Sequence, residues 1–335
     1  MFTYTLRRLL IAVPTILFIA LVIFLLLELS PADPLANQPL TIPPEVREQM
    51  RAALGLGEAW YLRFFKWLYL FVVVEPLYVL QGMTGWAVAP EGPRILSWMT
   101  RSPVSDLIIQ RLPQTLWVVG LGYLFGILIA VPIGIYSAYR QYSWFDQAGS
   151  FVSMVGFSLP TFFTGPALML VFGVWLGWFP IIYDTTHQVT DWGSFVQQMR
   201  QMAMPVTVLT LYNAAQISRF MRASMLDNLH QDYVRTARAK GLTERVVVLI
   251  HVLRNSLIPV VTVIALGVPG IFTGAIITET IFRVNGLGQL LILHIEGSDL
   301  PMVLTISVVF AALIVLFNLI ADILYALLDP RIRYD

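Results

Sequence analysis

The chain has 335 residues, of which 57% are hydrophobic and 12% are charged, and its mean hydropathy is +0.74. Soluble domains carry about 25% charged residues, so this composition favours lipid as the solvent. Cysteine is absent, which excludes disulfides and thiolate metal sites. The four histidines are scattered without the spacing of a metal site, and a net charge of +1 gives no indication of a nucleic-acid partner.

Six stretches are long and apolar enough to form helices that cross a bilayer, which takes about 20 residues. The first follows Arg7 and Arg8, as the apolar part of a signal peptide would. It is too long for that role and no small-residue cleavage site follows, so a retained span is expected. The predicted spans are Leu9–Leu29, Leu116–Tyr139, Gln147–Tyr183 (with an interfacial turn), Met202–Ser218, Asn255–Thr278 and Pro301–Ala321.

The distribution of lysine and arginine predicts the orientation, because short cytoplasmic loops of membrane proteins are enriched in both residues. With six spans, a cytoplasmic N-terminus leaves only Arg200 and Arg283 in the short outer loops. Both termini are therefore predicted to be cytoplasmic. The predicted inner set is Arg7, Arg8, Arg140, Arg219, Arg222, Arg235, Arg238, Lys240, Arg245, Arg254, Arg331 and Arg333.

Residues 31–112 are predicted to form one long periplasmic or extracellular segment between the first and second spans. Pro44 and the glutamates after it favour the start of an amphipathic helix. The stretch Trp60–Leu80 is rich in aromatic residues but contains three charges, and its longest uncharged run, Trp67–Val74, is too short to cross. A helix on the outer membrane surface is expected there.

Small residues recur at four-residue spacing in several spans, an arrangement that allows close approach of helix backbones in lipid. The spacing fits packing within one subunit and packing against a second membrane subunit equally well. The pattern comprises Gly122, Gly126, Ala130, Gly134 and Ala138, then Gly173 and Gly177, then Gly270 and Gly274.

Charged residues inside spans usually mark an ion or proton path. The candidates Glu28, Glu279 and Asp322 all lie near span ends, where interface-level carboxylates are expected, so an ion-driven transporter is disfavoured. The sequence contains no metal-dependent hydrolase motif, no nucleophile elbow and no phosphate-binding glycine loop. No catalytic residue or metal ligand is predicted, and any ATPase must be another chain.

The loop between the fourth and fifth spans, residues 227–254, has a defined internal structure. Asp232 is a plausible helix N-cap, residues 233–240 favour a short helix, and Gly241 suits a left-handed turn. A second helix is predicted over Arg245–Asn255. Small residues between cations suit docking against another protein, although a basic loop resting on anionic lipid headgroups remains an alternative.

The loop also resembles a known family, the membrane permease subunits of binding-protein-dependent ABC importers, in its dipeptide/oligopeptide/nickel branch. The segment Asp232–Leu242 is very similar to that branch, although Arg235 and Thr236 replace the Glu-Ala of the general signature. Further similar motifs follow in the family's order. They are Ser30–Pro34, His251–Pro259, Glu279–Phe282 with Gly286–Gly288, and Asp329–Arg333.

This resemblance implies an all-α integral membrane protein with the type I ABC importer permease fold. The implied divisions are residues 1–30 (tail and first span), 31–112 (external segment), 113–330 (permease core with coupling loop 227–254) and 331–335 (C-terminal tail). The implied ATPase-docking residues are Asp232, Tyr233, Arg235, Thr236, Ala237, Arg238, Ala239, Lys240 and Gly241.

The resemblance also implies partners in the cytoplasmic membrane: a second homologous permease, two ATPase subunits and an external substrate-binding protein. The chain itself would hold no cofactor, because ATP and magnesium would be bound by the ATPase subunits. Peptides are the expected cargo, with nickel complexes, opines or oligosaccharides as alternatives. A stand-alone secondary transporter and a membrane enzyme are less favoured.

Overall fold

The computed structural model describes residues 2–29, 43–273 and 276–328. The motifs at Ser30–Pro34 and Asp329–Arg333, the tail 331–335 and Gly274 lie outside this part of the chain. In the described residues, the only β-structure is a single isolated bridge between Leu96 and Pro103. The predicted all-helical class is therefore confirmed for the described residues.

Twelve helices are numbered here in chain order. Their bounds are α1 Phe2–Glu28, α2 Pro44–Ala53, α3 Trp60–Thr84, α4 Val104–Tyr139, α5 Trp144–Ser158, α6 Thr161–Trp175, α7 Trp192–Leu229, α8 Asp232–Ala239, α9 Glu244–Ile271, α10 Ile276–Phe282, α11 Leu287–Glu296 and α12 Leu300–Leu328. Three contain π-helical turns, at Leu70–Val74 in α3, Met169–Trp175 in α6 and Val247–Val252 in α9.

Five helices of the described chain are long and apolar enough to cross a membrane, namely α1, α3, α4, α9 and α12. Two bent pairs could each supply one more crossing. The predicted third span is one of them: α5 and α6 meet at 104° beside Pro160, a residue that cannot continue a helix hydrogen-bond ladder. The other pair, α10 and α11, is bent by 84°.

Two predictions about spans stay predictions, because length and composition alone do not place a helix in a membrane. The stretch Trp60–Leu80, predicted to lie on the outer surface, belongs to the 25-residue helix α3, which is long and apolar enough to cross. Of its charges, Glu75 is paired with Arg94. The predicted fourth span lies inside the 38-residue α7, which is not among the five single helices of the described chain that are long and apolar enough to cross.

The chain divides into two compact units. The first is built mainly from residues 114–288, and its core is apolar. Glycines of α4 bring that helix against α7: a Cβ added to Gly122, Gly126 or Gly134 would lie 2.6–2.8 Å from the Cβ of Leu209, Asn213 or Met221, respectively. Between them, Ala130 is fully buried. These small residues therefore serve packing within one subunit.

The other small-residue pairs have different roles. Gly173 faces Ile181 in the following loop, and Gly177 has φ +62° just beyond the end of α6. Gly270 has no atom within 4 Å of an added Cβ among the described residues.

The second unit comprises residues 7–113 and 289–315, and several buried polar groups lie within its apolar core. The carboxylate of Glu75, only 4% exposed, accepts hydrogen bonds from the Ile95 backbone N–H (2.9 Å), the Ser105 hydroxyl (2.6 Å) and Arg94 (2.9 Å). Asp299, fully buried at the start of α12, accepts the Ser97 hydroxyl at 2.5 Å. Glu28 at the end of α1 is paired with Arg63 of α3.

Candidate functional site

The short helix α8 lies in the loop that the sequence singles out. Two of its side chains, Val234 and Ala237, are buried in the core of the first unit. They share this cluster with residues of α4, α7 and α9, namely Ala138, Met221, Met225, Val247, Val248 and Val252. The three-residue spacing of Val234 and Ala237 places both on one helix face, so the opposite face of α8 points away from the core.

The N-terminus of α8 differs by one residue from the prediction. Gln231 is the residue before the helix and Asp232 is its first residue, without a side-chain capping bond. The Asp232 carboxylate instead lies 3.5 Å from Arg235 one turn on, and both side chains are largely exposed. An acid in the first turn still interacts favourably with the helix dipole, which is why the sequence signal was sound although the cap assignment was wrong.

The C-terminus of α8 confirms the predicted glycine turn. Gly241 has φ +77°, a conformation that residues with a Cβ adopt at a cost. Its N–H donates to the Arg238 carbonyl at 3.0 Å, and the N–H of Leu242 donates to the Ala237 carbonyl at 3.4 Å. These two bonds form a Schellman motif, which satisfies the last carbonyls of the helix and turns the chain towards α9.

Of the nine residues implied to dock an ATPase, eight are exposed on or beside α8, and Ala237 is buried in the chain's own core. Ala237 therefore anchors the helix. The exposed set comprises Asp232, Tyr233, Arg235, Thr236, Arg238, Ala239, Lys240 and Gly241.

Two side chains of this exposed set are fixed by neighbours that the sequence reasoning missed. Arg238 donates to Glu244 at 2.7 Å, and this hydrogen bond raises the pKa of Arg238. The Tyr233 hydroxyl donates to Asn228 at 2.8 Å. Both contacts join α8 to the helices on either side, and their partners come from positions where sequence gives no signal of pairing.

A buried ion pair lies deeper in the same unit. Asp146 in the first turn of α5 is 2% exposed and accepts two hydrogen bonds from Arg222 of α7, at 2.6 and 2.7 Å. Sequence reasoning counted Arg222 only as an orientation signal. The available signal was an isolated acid at the start of an otherwise uncharged stretch, which requires a cation nearby.

Glu279, predicted to be an interface-level carboxylate near a span end, lies in the interior of the chain, and its level in the membrane stays a prediction. It is completely buried, and it accepts hydrogen bonds from the Thr115 hydroxyl and the Gly288 N–H, both at 2.8 Å. Gly286 and Gly288 surround it so closely that an added Cβ would lie within 3 Å of the carboxylate. These contacts make the buried carboxylate a structural tie between α4 and the α10–α11 bend.

Comparison with known proteins places this arrangement in a family. The model described as "Binding-protein-dependent transport system inner membrane component" matches residues 130–334, and its N-terminal companion, "Binding-prot-dependent transport system membrane comp, N-term", matches residues 1–119. The "Oligopeptide transport system permease protein AppB" of Bacillus subtilis (strain 168) is 37% identical, with 100% of both chains covered.

Two further likenesses were found. The "Glutathione transport system permease protein GsiC" of Salmonella paratyphi A is 35% identical, again with 100% of each chain covered. A solved structure, "Crystal structure of an amino acid ABC transporter with histidines", covers 68% of this chain and 95% of its own at 16% identity; with a TM-score of 0.44 this likeness is weak. The family matches and the full-length relatives show that this chain belongs to the inner membrane components of binding-protein-dependent ABC transport systems and is a multi-pass permease.

Proposed function

We propose that the chain is one of two permease subunits of an ATP-driven importer that moves peptides across the cytoplasmic membrane. In this proposal two ATPase subunits and an external binding protein complete the machine, and ATP and magnesium are bound by the ATPases. The names of the relatives, oligopeptide and glutathione permeases, support a peptide cargo. Nickel complexes, opines and oligosaccharides are the alternative cargoes.

The observation that carries this proposal is the geometry of α8. Two buried side chains fix it to a core shared by α4, α7 and α9, while its outer face presents eight exposed docking residues. A loop whose only role was membrane orientation would need positive charge but no capped, anchored helix. Firm attachment on one face and exposed polar groups on the other suit a helix that receives force from a partner.

In the proposed mechanism, α8 sits in a cleft of an ATPase subunit. Closure of the two ATPases on ATP displaces α8, and the shared apolar cluster passes this displacement to the spans, which alternate between inward-open and outward-open states. The same proposal places both termini and loop 227–254 in the cytoplasm. Residues 31–112 then face outwards, where the binding protein docks.

The α8 interface is tested by charge reversal in the full complex. Arg235→Glu, on the outer face of α8, is expected to reduce co-purification of the ATPases at least about tenfold, since it replaces attraction by repulsion at the interface. Arg245→Glu makes the same charge change in the same loop, at the second residue of α9, and serves as the matched control. Equal ATPase recovery with both variants would argue against docking through α8.

Transport is tested by reconstitution in liposomes. The complete set of subunits is expected to take up a radiolabelled tripeptide only with ATP and the binding protein present. Uptake by this chain alone, without ATP, would instead support the stand-alone secondary transporter. ATP-dependent uptake of a nickel complex, an opine or an oligosaccharide in place of the tripeptide would keep the machine and change its cargo.

A further inference from the structure

A cavity of about 370 Å³ lies entirely within the second unit. Its walls come from the last turns of α1, from α3, from the loop before α4 and from the start of α12. Neither the α8 site nor the α4–α7 contact involves it. The cavity therefore lies at the C-terminal end of the candidate span α1, which ends at Glu28, and at the N-terminal end of the candidate span α12.

One side of this cavity is apolar. Phe24 and Leu27 of α1 line it together with Trp67 and Leu70 of α3, and the first turn of α12 adds further aliphatic side chains. Trp67 is fixed in place, since its indole N–H donates to Thr305 at 3.1 Å. Such a wall accepts hydrocarbon and offers few partners to a polar ligand.

The other side is cationic. Arg63, Lys66, Arg94 and Arg101 line the cavity, with Glu58 as the one acidic lining residue. Three of these cations are already paired, with Glu28, Glu58 and Glu75 in turn. Arg101 makes no ion pair with any residue in the described ranges, and its side chain is exposed. An additional negative charge is therefore accommodated best at Arg101.

The backbone at Arg101 is strained in a way that favours a functional role. Its φ is +59°, a region where a residue with a Cβ is disfavoured and glycine is the usual choice. The turn that imposes this conformation is rigid: the Arg101 N–H donates to the Ser97 carbonyl at 3.0 Å, and the Ser97 hydroxyl is bound by buried Asp299. The fold thus holds a guanidinium over the cavity at a position suited to glycine.

We infer that this cavity binds one anionic phospholipid, with the phosphate at Arg101 and an acyl chain along the apolar wall. Lys66 lies in the same lining, and its side chain is 63% accessible, but its charge is already paired with Glu58. Cationic side chains and tryptophans at a span boundary match the chemistry of an anionic lipid headgroup. A hydrophilic peptide would bury polar backbone against the Phe24–Leu27 wall without hydrogen-bond partners, which is costly.

The test is a native mass spectrometry titration of the full-length chain with dioleoyl-phosphatidylglycerol and, separately, dioleoyl-phosphatidylcholine. One phosphatidylglycerol is expected to bind about tenfold more tightly than phosphatidylcholine, as a charge-assisted contact implies. Arg101→Gly is expected to abolish this preference while leaving the thermal midpoint unchanged or higher, because glycine suits φ +59°. Arg101→Lys is expected to retain the preference.

Two further variants separate a cavity from general surface charge. Leu300→Trp fills the cavity without changing any charge, and it is expected to weaken phosphatidylglycerol binding as strongly as Arg101→Gly does. Arg245→Ala removes one exposed cation away from the cavity and is expected to leave the preference intact. Equal binding of the two lipids, or an undiminished preference in Arg101→Gly, would overturn the inference. Displacement of the lipid by a tripeptide would also overturn it, by assigning the cavity to the substrate.

Discussion

One helix contact in each unit of this permease illustrates a different way of holding helices together. In the first, glycines let α4 lie directly against α7, and the contact is made by backbone and apolar atoms. In the second, carboxylates such as Glu75 and Asp299 are buried and gather donors from several segments. Close packing needs only small residues in register, whereas a buried carboxylate needs every partner in place. The α4–α7 contact should therefore be sensitive to added volume and the Glu75 cluster to lost charge.

The sharpest way to break this contrast is to remove the carboxylate at the centre of the second unit. Glu75→Ala leaves Arg94 and the Ile95 N–H without their buried acceptor, so we expect a loss of about 3 kcal/mol in the free energy of unfolding. Thermal or denaturant unfolding in detergent measures it. Glu58→Ala is the matched control: its partner Lys66 is exposed, and the loss should stay within about 0.5 kcal/mol. Similar losses in both variants would contradict the assignment of stability to burial.

Added volume tests the first unit. A methyl group at Gly134 would meet the Met221 Cβ at 2.6 Å and the Ser218 carbonyl at 2.8 Å, so Gly134→Ala should cost about 2 kcal/mol. Gly120→Ala, in the same helix, meets only one atom, at 4.0 Å, and should be neutral within about 0.5 kcal/mol. If both variants unfold at the same temperature as the parent, the α4–α7 contact is looser than this geometry requires.

Gly241 sharpens the comparison, because there a side chain is disfavoured by the backbone conformation, although the space around it is empty. No atom of the described chain lies within 4 Å of an added Cβ, yet φ is +77°. Gly241→Val should cost about 1–2 kcal/mol locally and uncouple ATP hydrolysis from transport, or prevent ATPase assembly, by misplacing α8. Gly241→Asn, which tolerates this conformation, should retain coupling. Normal ATP-coupled uptake by the valine variant would refute the role of the turn.

The smallest effect is expected at the start of α7. The Asp191 carboxylate accepts the Ser194 N–H at 2.7 Å, and this bond lowers the pKa of Asp191. Because the pKa of this carboxylate is lower in the folded chain than in the unfolded chain, the cap stabilises the helix at pH values above the unfolded pKa of about 3.9. This stabilisation is lost as the pH falls through the folded-state pKa. The thermal midpoint should therefore drop slightly more below pH 4 in the parent than in Asp191→Asn. Parallel pH profiles would show that this cap contributes nothing measurable.

Local and periodic signals predicted much of this molecule. Runs of apolar residues located α1, α4, α9 and α12, because burial in lipid acts on each helix separately. The turn at Gly241 was predictable because it depends on a single glycine that can adopt the left-handed conformation. The glycine spacing of α4 predicted close approach, but it could not identify α7 as the neighbour, which depends on the tertiary fold.

What sequence could not supply was pairing between distant residues. Glu279 and Thr115 are 164 positions apart, and Ser97 and Asp299 are 202 apart. Each of these residues looks unremarkable in its own segment. The same limitation applies to α3: its three charges disfavour a span in sequence, and the partners that allow Glu75 to be buried come from a later loop.

The glycine contact of α4 also restricts how the first unit can move. Three side chains of α7 pack directly against three glycines of α4, over about three turns of each helix. The pairs are Gly122 with Leu209, Gly126 with Asn213 and Gly134 with Met221. For α7 to slide along α4, these side chains would have to move away from the glycines, and a close-packed interior gives them no room to do so. The two helices must therefore move as one rigid body. Any conformational change during a transport cycle has to take place at the ends of these helices, where the chain bends or turns.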